Sequence, residues 1–215
     1  MTSQTEVSCS RCGARNSVTT YDSINVTETP ELKARVLDGS LFVWECPHCG
    51  AHNLVRSQTL YHDPSERLMV WLTGGSEDLE RKVREAYGSL EEMNGYTARF
   101  VDDPGSLIEK VKIFDAGLDD VVMEMAKYVS RIEVAEGRKD RASDIMDATF
   151  RFLKLDGADN EITFAYPLDG QMQMVAVGFN VYEDCRGILK RNSAIAEAAS
   201  GFAKVDAAFV GRYFR

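Results

Sequence analysis

Cys46-Pro47-His48-Cys49-Gly50 is the stretch that decides how the first part of this chain folds, and Cys9-Ser10-Arg11-Cys12-Gly13 repeats its pattern near the start. In a Cys-x-x-Cys-Gly turn both sulfur atoms face the same side, and the glycine accepts a positive φ that other residues resist. Two such turns supply four thiolates, the number that a structural zinc ion binds as a tetrahedron. The sequence therefore predicts one structural zinc ion with these ligands: Cys9, Cys12, Cys46 and Cys49.

The segment between the two cysteine pairs is long enough to bring the second pair beside the first. A β-prone run over 15–26 predicts a strand, and Thr29 before Pro30 predicts the N-cap of a short helix at about 30–38. Leu41–Trp44 leads into Cys46 and residues 53–59 lead away from Cys49, so the second cysteine turn is predicted at the tip of a β-hairpin. Zinc-ribbon sites have this form.

A redox dithiol pair is the alternative role for the paired cysteines, but neither pair follows a strand and opens a helix as in a thioredoxin-like unit. In a reducing cytoplasm, the cysteines are expected to bind metal rather than form disulfides. Four thiolates would saturate zinc and leave no position for water or substrate, so the predicted role of the ion is structural. Cys185 remains as a single thiol, which we interpret as a small buried apolar residue.

Gly74-Gly75 is the clearest break in the chain, and we place a module boundary there. The period then becomes helical, with an apolar face that runs from Leu79 to Leu90, and further helices are predicted at about 103–116 and 118–135. Strands follow at 150–155, 161–168 and 171–179, with a hairpin turn at Asp169-Gly170. Apolar residues alternate with Met172 and Met174 in the last strand, which predicts that both of its faces are covered.

These patterns predict an α+β protein. Residues 1–75 form a zinc-ribbon-like β module, and residues 76–215 form an α+β domain packed against it. Hydrophobic residues at 44% and charged residues at 27% favour a globular chain over a disordered or fibrous one.

The net charge of −9 argues against binding to nucleic acid or to an anionic membrane surface, since both require a basic face. The first 75 residues contain eight acidic residues and six basic ones, and the basic residues are Arg11, Arg15, Lys33, Arg35, Arg56 and Arg67. No apolar stretch is long enough to cross a bilayer, and the first seven residues do not resemble a signal peptide. We therefore expect a cytoplasmic protein that has no membrane partner and does not bind nucleic acid.

Catalytic motifs are scarce in this sequence. His62 and Asp63 could form part of a second, catalytic centre, but no dense histidine and carboxylate motif accompanies them. One concentration of carboxylates could suggest magnesium binding or general acid–base chemistry: Asp102, Asp103, Asp115, Asp119 and Asp120. Helix starts explain it without such a role, since Asp103 is predicted to cap one helix and Asp119 and Asp120 to lie in the first turn of the next, where the macrodipole favours negative charge. The sequence predicts no catalytic residue and no cofactor site other than the metal.

Several short stretches, taken with the cysteine turns, resemble the CpXC family of bacterial and archaeal proteins over roughly the first two-thirds of the chain: Ser23-Ile24-Asn25-Val26, Pro30-Glu31-Leu32, Asp38-Gly39-Ser40-Leu41, Tyr61-His62-Asp63 and Leu107-Ile108-Glu109-Lys110. The resemblance implies a metal-binding cysteine quartet and a prokaryotic cytosolic setting, and it implies no particular reaction. The chain departs from the family pattern at Ser10, where the family prefers proline. All four thiolates remain, but the first turn is expected to be less rigid.

Two hypotheses for function follow. The first is a non-enzymatic interaction or adaptor protein that binds a protein partner or a second copy of itself through the zinc module. The second is a hydrolase that uses His62, Asp63 or the acidic cluster in a cleft between the two parts of the chain.

Overall fold

The computed structural model of the protein describes residues 1–55, 57–87 and 95–214. Helices and strands are mixed along the chain, which confirms the predicted α+β class. The chain divides into two compact units, Met1–Ile108 and Glu109–Arg215. Arg56 and Leu90, which the sequence analysis names, lie outside the described residues.

The first unit is rich in strands. Its helices are α1 (Pro30–Leu37), α2 (Glu77–Tyr87) and the first part of α3 (Pro104–Asp115), which continues into the second unit. Its strands are β1 (Thr2–Ser8), β2 (Arg15–Tyr21), β3 (Ser23–Asn25), β4 (Val43–Glu45), β5 (His52–Leu54), β6 (Thr59–Asp63), β7 (Leu68–Leu72) and β8 (Thr97–Val101). β1 pairs with β2 and β4 with β5, both antiparallel, so each cysteine turn closes a two-stranded hairpin.

A sheet in the order β8-β7-β6-β3 forms the body of the first unit. β6 and β7 are antiparallel, whereas β3 is parallel to β6 and β8 is parallel to β7. Alternating side chains of these strands form the core of this unit, including Ile24, Tyr61, Val70 and Phe100, each at most 1% exposed. The segment between β3 and β6 therefore leaves this sheet to build the β4–β5 hairpin, which carries the second cysteine turn, and then returns to it.

The boundary between the two compact units lies after Ile108, later in the chain than the module boundary predicted after residue 75. β8 follows that boundary in sequence but pairs with β7, Leu68 lying opposite Thr97 and Leu72 opposite Val101. Two parallel neighbouring strands need a crossover connection, and α2 lies between them in the chain. The backbone hydrogen bonds of β8 therefore assign it to the first unit, while the division into 1–75 and 76–215 stays a prediction about independent folding.

The second unit combines helices with a three-stranded antiparallel sheet in the order β11-β10-β9. Its elements after α3 are α4 (Asp120–Gly137), α5 (Ala142–Asp147), β9 (Arg151–Asp156), β10 (Glu161–Leu168), β11 (Gln171–Gly178), α6 (Asn180–Arg191), α7 (Ser193–Ala198), β12 (Phe202–Ala203) and α8 (Ala207–Val210). One face of β10, including Ile162, Phe164 and Tyr166, is buried in a core that α4 shares. The hairpin predicted at Asp169-Gly170 is confirmed, since both residues have the positive φ that this turn needs.

α1 begins at Pro30 with Thr29 at the N-cap position, as predicted, but the Thr29 hydroxyl donates a hydrogen bond to the Asn25 carbonyl oxygen at 2.9 Å and does not accept one from the helix. One local prediction is wrong. The strand after Gly170 was predicted to be covered on both faces, yet Met172 and Met174 are 68% and 69% exposed. Apolar alternation shows which residues share a face of a strand, but it does not show whether this chain supplies a layer to cover that face.

No helix in the described parts of the chain combines the length and the apolar character needed to cross a membrane.

Candidate metal centre

The two cysteine turns have the same backbone structure. In the first, the Cys9 N–H donates to the Ala14 carbonyl oxygen and the Gly13 N–H donates to the Cys9 carbonyl oxygen, both at 2.9 Å. In the second, equivalent bonds run from the Cys46 N–H to Ala51 at 2.9 Å and from the Gly50 N–H to Cys46 at 2.8 Å. The two glycines adopt φ values of 72° and 67°, which confirms why glycine follows each pair.

The four predicted sulfur atoms converge, and all of them lie within 4.8 Å of one another. The Cys9 and Cys49 sulfurs are 3.6 Å apart, and the Cys12 and Cys46 sulfurs are 3.7 Å apart. A zinc ion with four Zn–S bonds of about 2.3 Å requires sulfurs about 3.8 Å apart, so these spacings match tetrahedral coordination. A disulfide would require about 2.05 Å. The cluster is therefore four free thiols at the spacing of a metal site.

Asn53, on β5, connects the two cysteine turns. Its Oδ1 accepts hydrogen bonds from the N–H and the hydroxyl of Ser10, both at 2.8 Å, and its amide nitrogen lies 3.6 Å from the Cys9 sulfur and donates to Ala51 O at 2.8 Å. Asn53 is 8% exposed, so its hydrogen bonds are largely shielded from water. Pro47 occupies the equivalent position in the second turn, and a proline in place of Ser10 would lack the N–H donor. The hydrogen bonds to Asn53 therefore hold the first turn in place without a proline ring.

The pKa values of two of the thiols show how the four cysteines affect one another's charge. Hydrogen bonds from backbone N–H groups, above all that of Cys12, lower the pKa of Cys9 to about 6. The backbone of Ala51 favours the Cys49 thiolate too, but burial and the three neighbouring thiols outweigh it and raise the pKa of Cys49 to about 12. Four thiolates in one pocket repel one another, and a bound divalent cation removes that repulsion. The donor set thus suits a metal ion.

The site is partly shielded from solvent. Cys9 and Cys46 are buried at 3% and 1% exposure, Cys49 is half-buried, and Cys12 is exposed. Four sulfur ligands would complete a tetrahedral shell, so an ion held there would have no open position for a substrate. The geometry can organise the two hairpins around one ion, and it offers no coordination site for catalysis.

The side chains of His62 and Asp63 do not lie together. They are adjacent in β6, so their side chains point to opposite faces of the sheet. The Asp63 carboxylate is 1% exposed and accepts hydrogen bonds from Lys33 at 2.9 Å and from the Ser65 hydroxyl at 2.6 Å. Nε2 of His62 lies 3.2 Å from the Tyr96 hydroxyl. Asp63 therefore fixes the turn after β6, and His62 contacts a different part of the first unit.

The acidic residues at the starts of α3 and α4 have two roles, helix capping and ion pairing. Asp103 accepts a hydrogen bond from the Ser106 N–H at the start of α3, which confirms its predicted capping role. Asp119, predicted to lie in the first turn of the next helix, is the N-cap of α4 and accepts hydrogen bonds from two backbone N–H groups. Asp120, placed correctly in the first turn of α4, is 1% exposed and forms an ion pair with Lys110 at 2.8 Å. This pairing could not be predicted from the sequence, because nothing in the spacing of the two residues shows that α3 and α4 pack together.

Cys185 lies on α6, apart from the metal cluster. It is 3% exposed, and burial raises the pKa of its thiol to about 11. This confirms the interpretation of Cys185 as a small buried apolar residue.

The fold and the converging sulfurs define an α+β protein with a four-cysteine metal-ligand cluster. The family whose model matches this chain is described as CpXC protein, and the match spans residues 7–127. Because it covers more than half of the chain, including both cysteine turns, this chain belongs to the CpXC family. No curated protein and no solved structure is significantly similar to it.

Proposed function

We propose that this protein is a zinc-binding, cytosolic, non-enzymatic interaction protein whose metal centre shapes a recognition module of the zinc-ribbon type. The observation that carries the proposal is the complete set of four sulfurs at tetrahedral spacing. Zinc is the divalent ion that four cysteines bind most commonly in structural sites, and its redox inertness suits that role. Five free cysteines are compatible with a reducing compartment.

The recognition surface in this proposal lies on the hairpin that carries the second cysteine turn. Val43 of β4 and Leu54 of β5 are cross-strand partners, and they are 38% and 70% exposed. Apolar side chains that face water beside a rigid, metal-held turn can bind a partner at little cost in conformational entropy. We propose a protein with an apolar docking segment as the partner.

The test compares partner binding with metal content. A partner captured from native lysate and identified by mass spectrometry should be expressed separately and bind the purified protein directly. Leu54→Asp should weaken that binding at least tenfold while zinc remains at one ion per chain. Leu153→Asp, at a position 37% exposed on β9 of the second unit, serves as the control and should leave binding unchanged.

Two results would contradict the proposal. The first is a purified protein that holds no zinc after expression with the metal supplied. The second is a partner whose affinity is the same for the wild type, Leu54→Asp and Cys46→Ser.

A further inference from the structure

The outer edge of β11 has no partner strand among the described residues. β11 pairs with β10 from Gln171 opposite Leu168 to Gly178 opposite Glu161, and it ends the sheet on that side. The unpaired edge of a strand presents backbone N–H and C=O groups that a further strand can bind. This edge is eight residues long, whereas the short strands β3, β4 and β5 have three residues each.

The two edges of the three-stranded sheet differ in how they are protected. β9, at one edge, carries Arg151, Lys154 and Asp156, and its register with β10 shifts between Thr163 and Phe164. Charged residues and register irregularities are features that keep exposed edges from pairing with other chains. β11, at the other edge, has the sequence QMQMVAVG, with no charge, no proline and no shift in register with β10. Only the β9 edge is protected against pairing.

The side chains next to the open edge are also exposed and apolar. Val175 and Val177 of β11 pack against the core, and Met172 and Met174 on its other face are 68% and 69% exposed. Methionine is flexible and polarizable, so it adapts to a partner surface. Both the backbone edge and the adjoining face of β11 are therefore available to a partner.

We propose that β11 pairs antiparallel with β11 of a second copy of this chain, about a two-fold axis at Met174. The two sheets would join into one with six strands, three from each copy. In a continuous sheet, residues of the outer face lie opposite residues of the same face. Met174 then lies opposite Met174 of the second copy, and Met172 lies opposite the smaller Ala176.

Self-complementarity is the reason for choosing a second copy as the occupant. Two copies with a net charge of −9 each repel one another, so a contact between them is opposed least at a patch without like charges. β11 is uncharged throughout, and pairing it with itself brings no carboxylates together. A two-fold contact is the commonest form of self-association. A sheet of six strands has a common size, whereas a sheet of three strands is small. The inference does not depend on the metal centre.

Sedimentation equilibrium of the full chain, expressed with zinc, tests the proposal. At about 100 µM protein, a dimer with a Kd of about 1 µM would be more than nine-tenths formed. Met174→Lys should be monomeric, since it places two lysines opposite each other. The control is Leu54→Lys, which makes the same change in charge at a leucine with 70% exposure, and it should remain dimeric.

A mixture of two variants identifies the contact. Met174→Lys and Met174→Glu should each be monomeric alone, and an equimolar mixture should form a heterodimer because opposite charges then face each other. Recovery of the dimer also shows that the variants are folded.

The proposal is overturned if the wild type is monomeric, which would leave a different protein as the partner of this edge. It is equally overturned if Met174→Lys remains dimeric, if Leu54→Lys is monomeric, or if the mixture of the two Met174 variants does not associate.

Discussion

The metal-ligand cluster of the first unit and a chain of buried charges in the second unit both place polar groups in the interior, but they neutralise charge in different ways. The cysteine cluster gathers four groups that become anions when they bind, so it requires a cation from outside. The buried chain alternates three cations with three carboxylates: Asp120, Lys110, Glu124, Lys127, Glu109 and Arg151. The first five are buried, and the side chain of Arg151, at the end of the chain, is 33% exposed. The second unit carries its own counter-charges.

The distances within the buried chain are short. Lys127 Nζ lies 2.7 Å from Glu124 and 2.8 Å from Glu109, and Lys110 Nζ lies 2.8 Å from Asp120. Glu109 also accepts a hydrogen bond from the Phe152 N–H at 2.6 Å, which connects α3 to β9. Burial opposes the charge on Lys127, but the carboxylates of Glu124 and Glu109 outweigh it, so the pKa of Lys127 is raised.

The comparison shows that the two units depend on different conditions. The first unit should depend on metal supply, while the second should depend on the integrity of its ion pairs. Substitutions in one unit should therefore leave the other unit's property, zinc content or ion-pair stability, unchanged.

Cys46→Ser should abolish stoichiometric zinc binding and destabilise the first unit by several kcal/mol, because zinc binding contributes about 10 kcal/mol or more to the folding of small zinc modules. Metal analysis and hydrogen exchange should show the loss of zinc and the opening of the β4–β5 hairpin. The control is Cys185→Ser, at a cysteine on α6 outside the cluster, and it should retain one zinc per chain. A fully metallated Cys46→Ser protein would contradict the assignment of this ligand.

Lys127→Met should destabilise the second unit by about 3–5 kcal/mol, because it leaves two buried carboxylates without that cation. Denaturant unfolding measures the loss, and the zinc content should not change. Lys154→Met is the matched control. Lys154 pairs with Asp156 at the surface, where such a pair contributes at most about 1 kcal/mol. Equal losses for the two variants would show that the buried chain contributes no more than an exposed pair.

Asn53→Ala should weaken zinc binding about 10- to 100-fold without removing a ligand, since hydrogen bonds to the metal ligands position them. Competition with a chromophoric chelator measures the affinity. Asn16→Ala is the control, because the Asn16 amide donates to the Ala14 carbonyl oxygen near the same turn. If the affinities of both variants equal that of the wild type, Asn53 does not position the cluster.

Asp63→Asn should destabilise the first unit by about 2 kcal/mol at pH 7, as expected for a partly buried ion pair. Burial opposes the charge of Asp63, but hydrogen bonds from Ser65 and Lys33 outweigh it and hold the pKa of the carboxyl below its usual value. The stabilisation is therefore present above the ordinary carboxyl pKa of about 4 and is lost as the pH falls through the lower folded value.

The difference in unfolding free energy between the wild type and Asp63→Asn should thus narrow as the pH falls from 7 to 3. Loss of zinc in acid affects both proteins alike, so the difference between them reports on Asp63. Glu66→Gln, at an exposed carboxylate beside the same turn, should show no such trend. A gap between wild type and Asp63→Asn that stays constant over this range would contradict the role given to the ion pair.

The sequence predicted the features whose causes are local. The metal ligands could be predicted because two cysteines and a glycine, close together in sequence, define each turn. The hairpin at Asp169-Gly170 could be predicted because both residues favour positive φ. The role of Asn53 was missed, since an asparagine four residues after Cys49 has no recognisable pattern until the first hairpin is folded beside it. Lys110 and Lys127 were missed for the same reason. Charged residues are usually exposed, and only the packing of α3 and α4 buries these two.

X-ray absorption at the zinc edge of the purified protein measures the metal centre most directly. One zinc per chain, surrounded by four sulfur atoms at about 2.3 Å, is the predicted result. A shell that contains nitrogen or oxygen in place of a sulfur, or fewer than one bound ion per chain after expression with ample zinc, would contradict it.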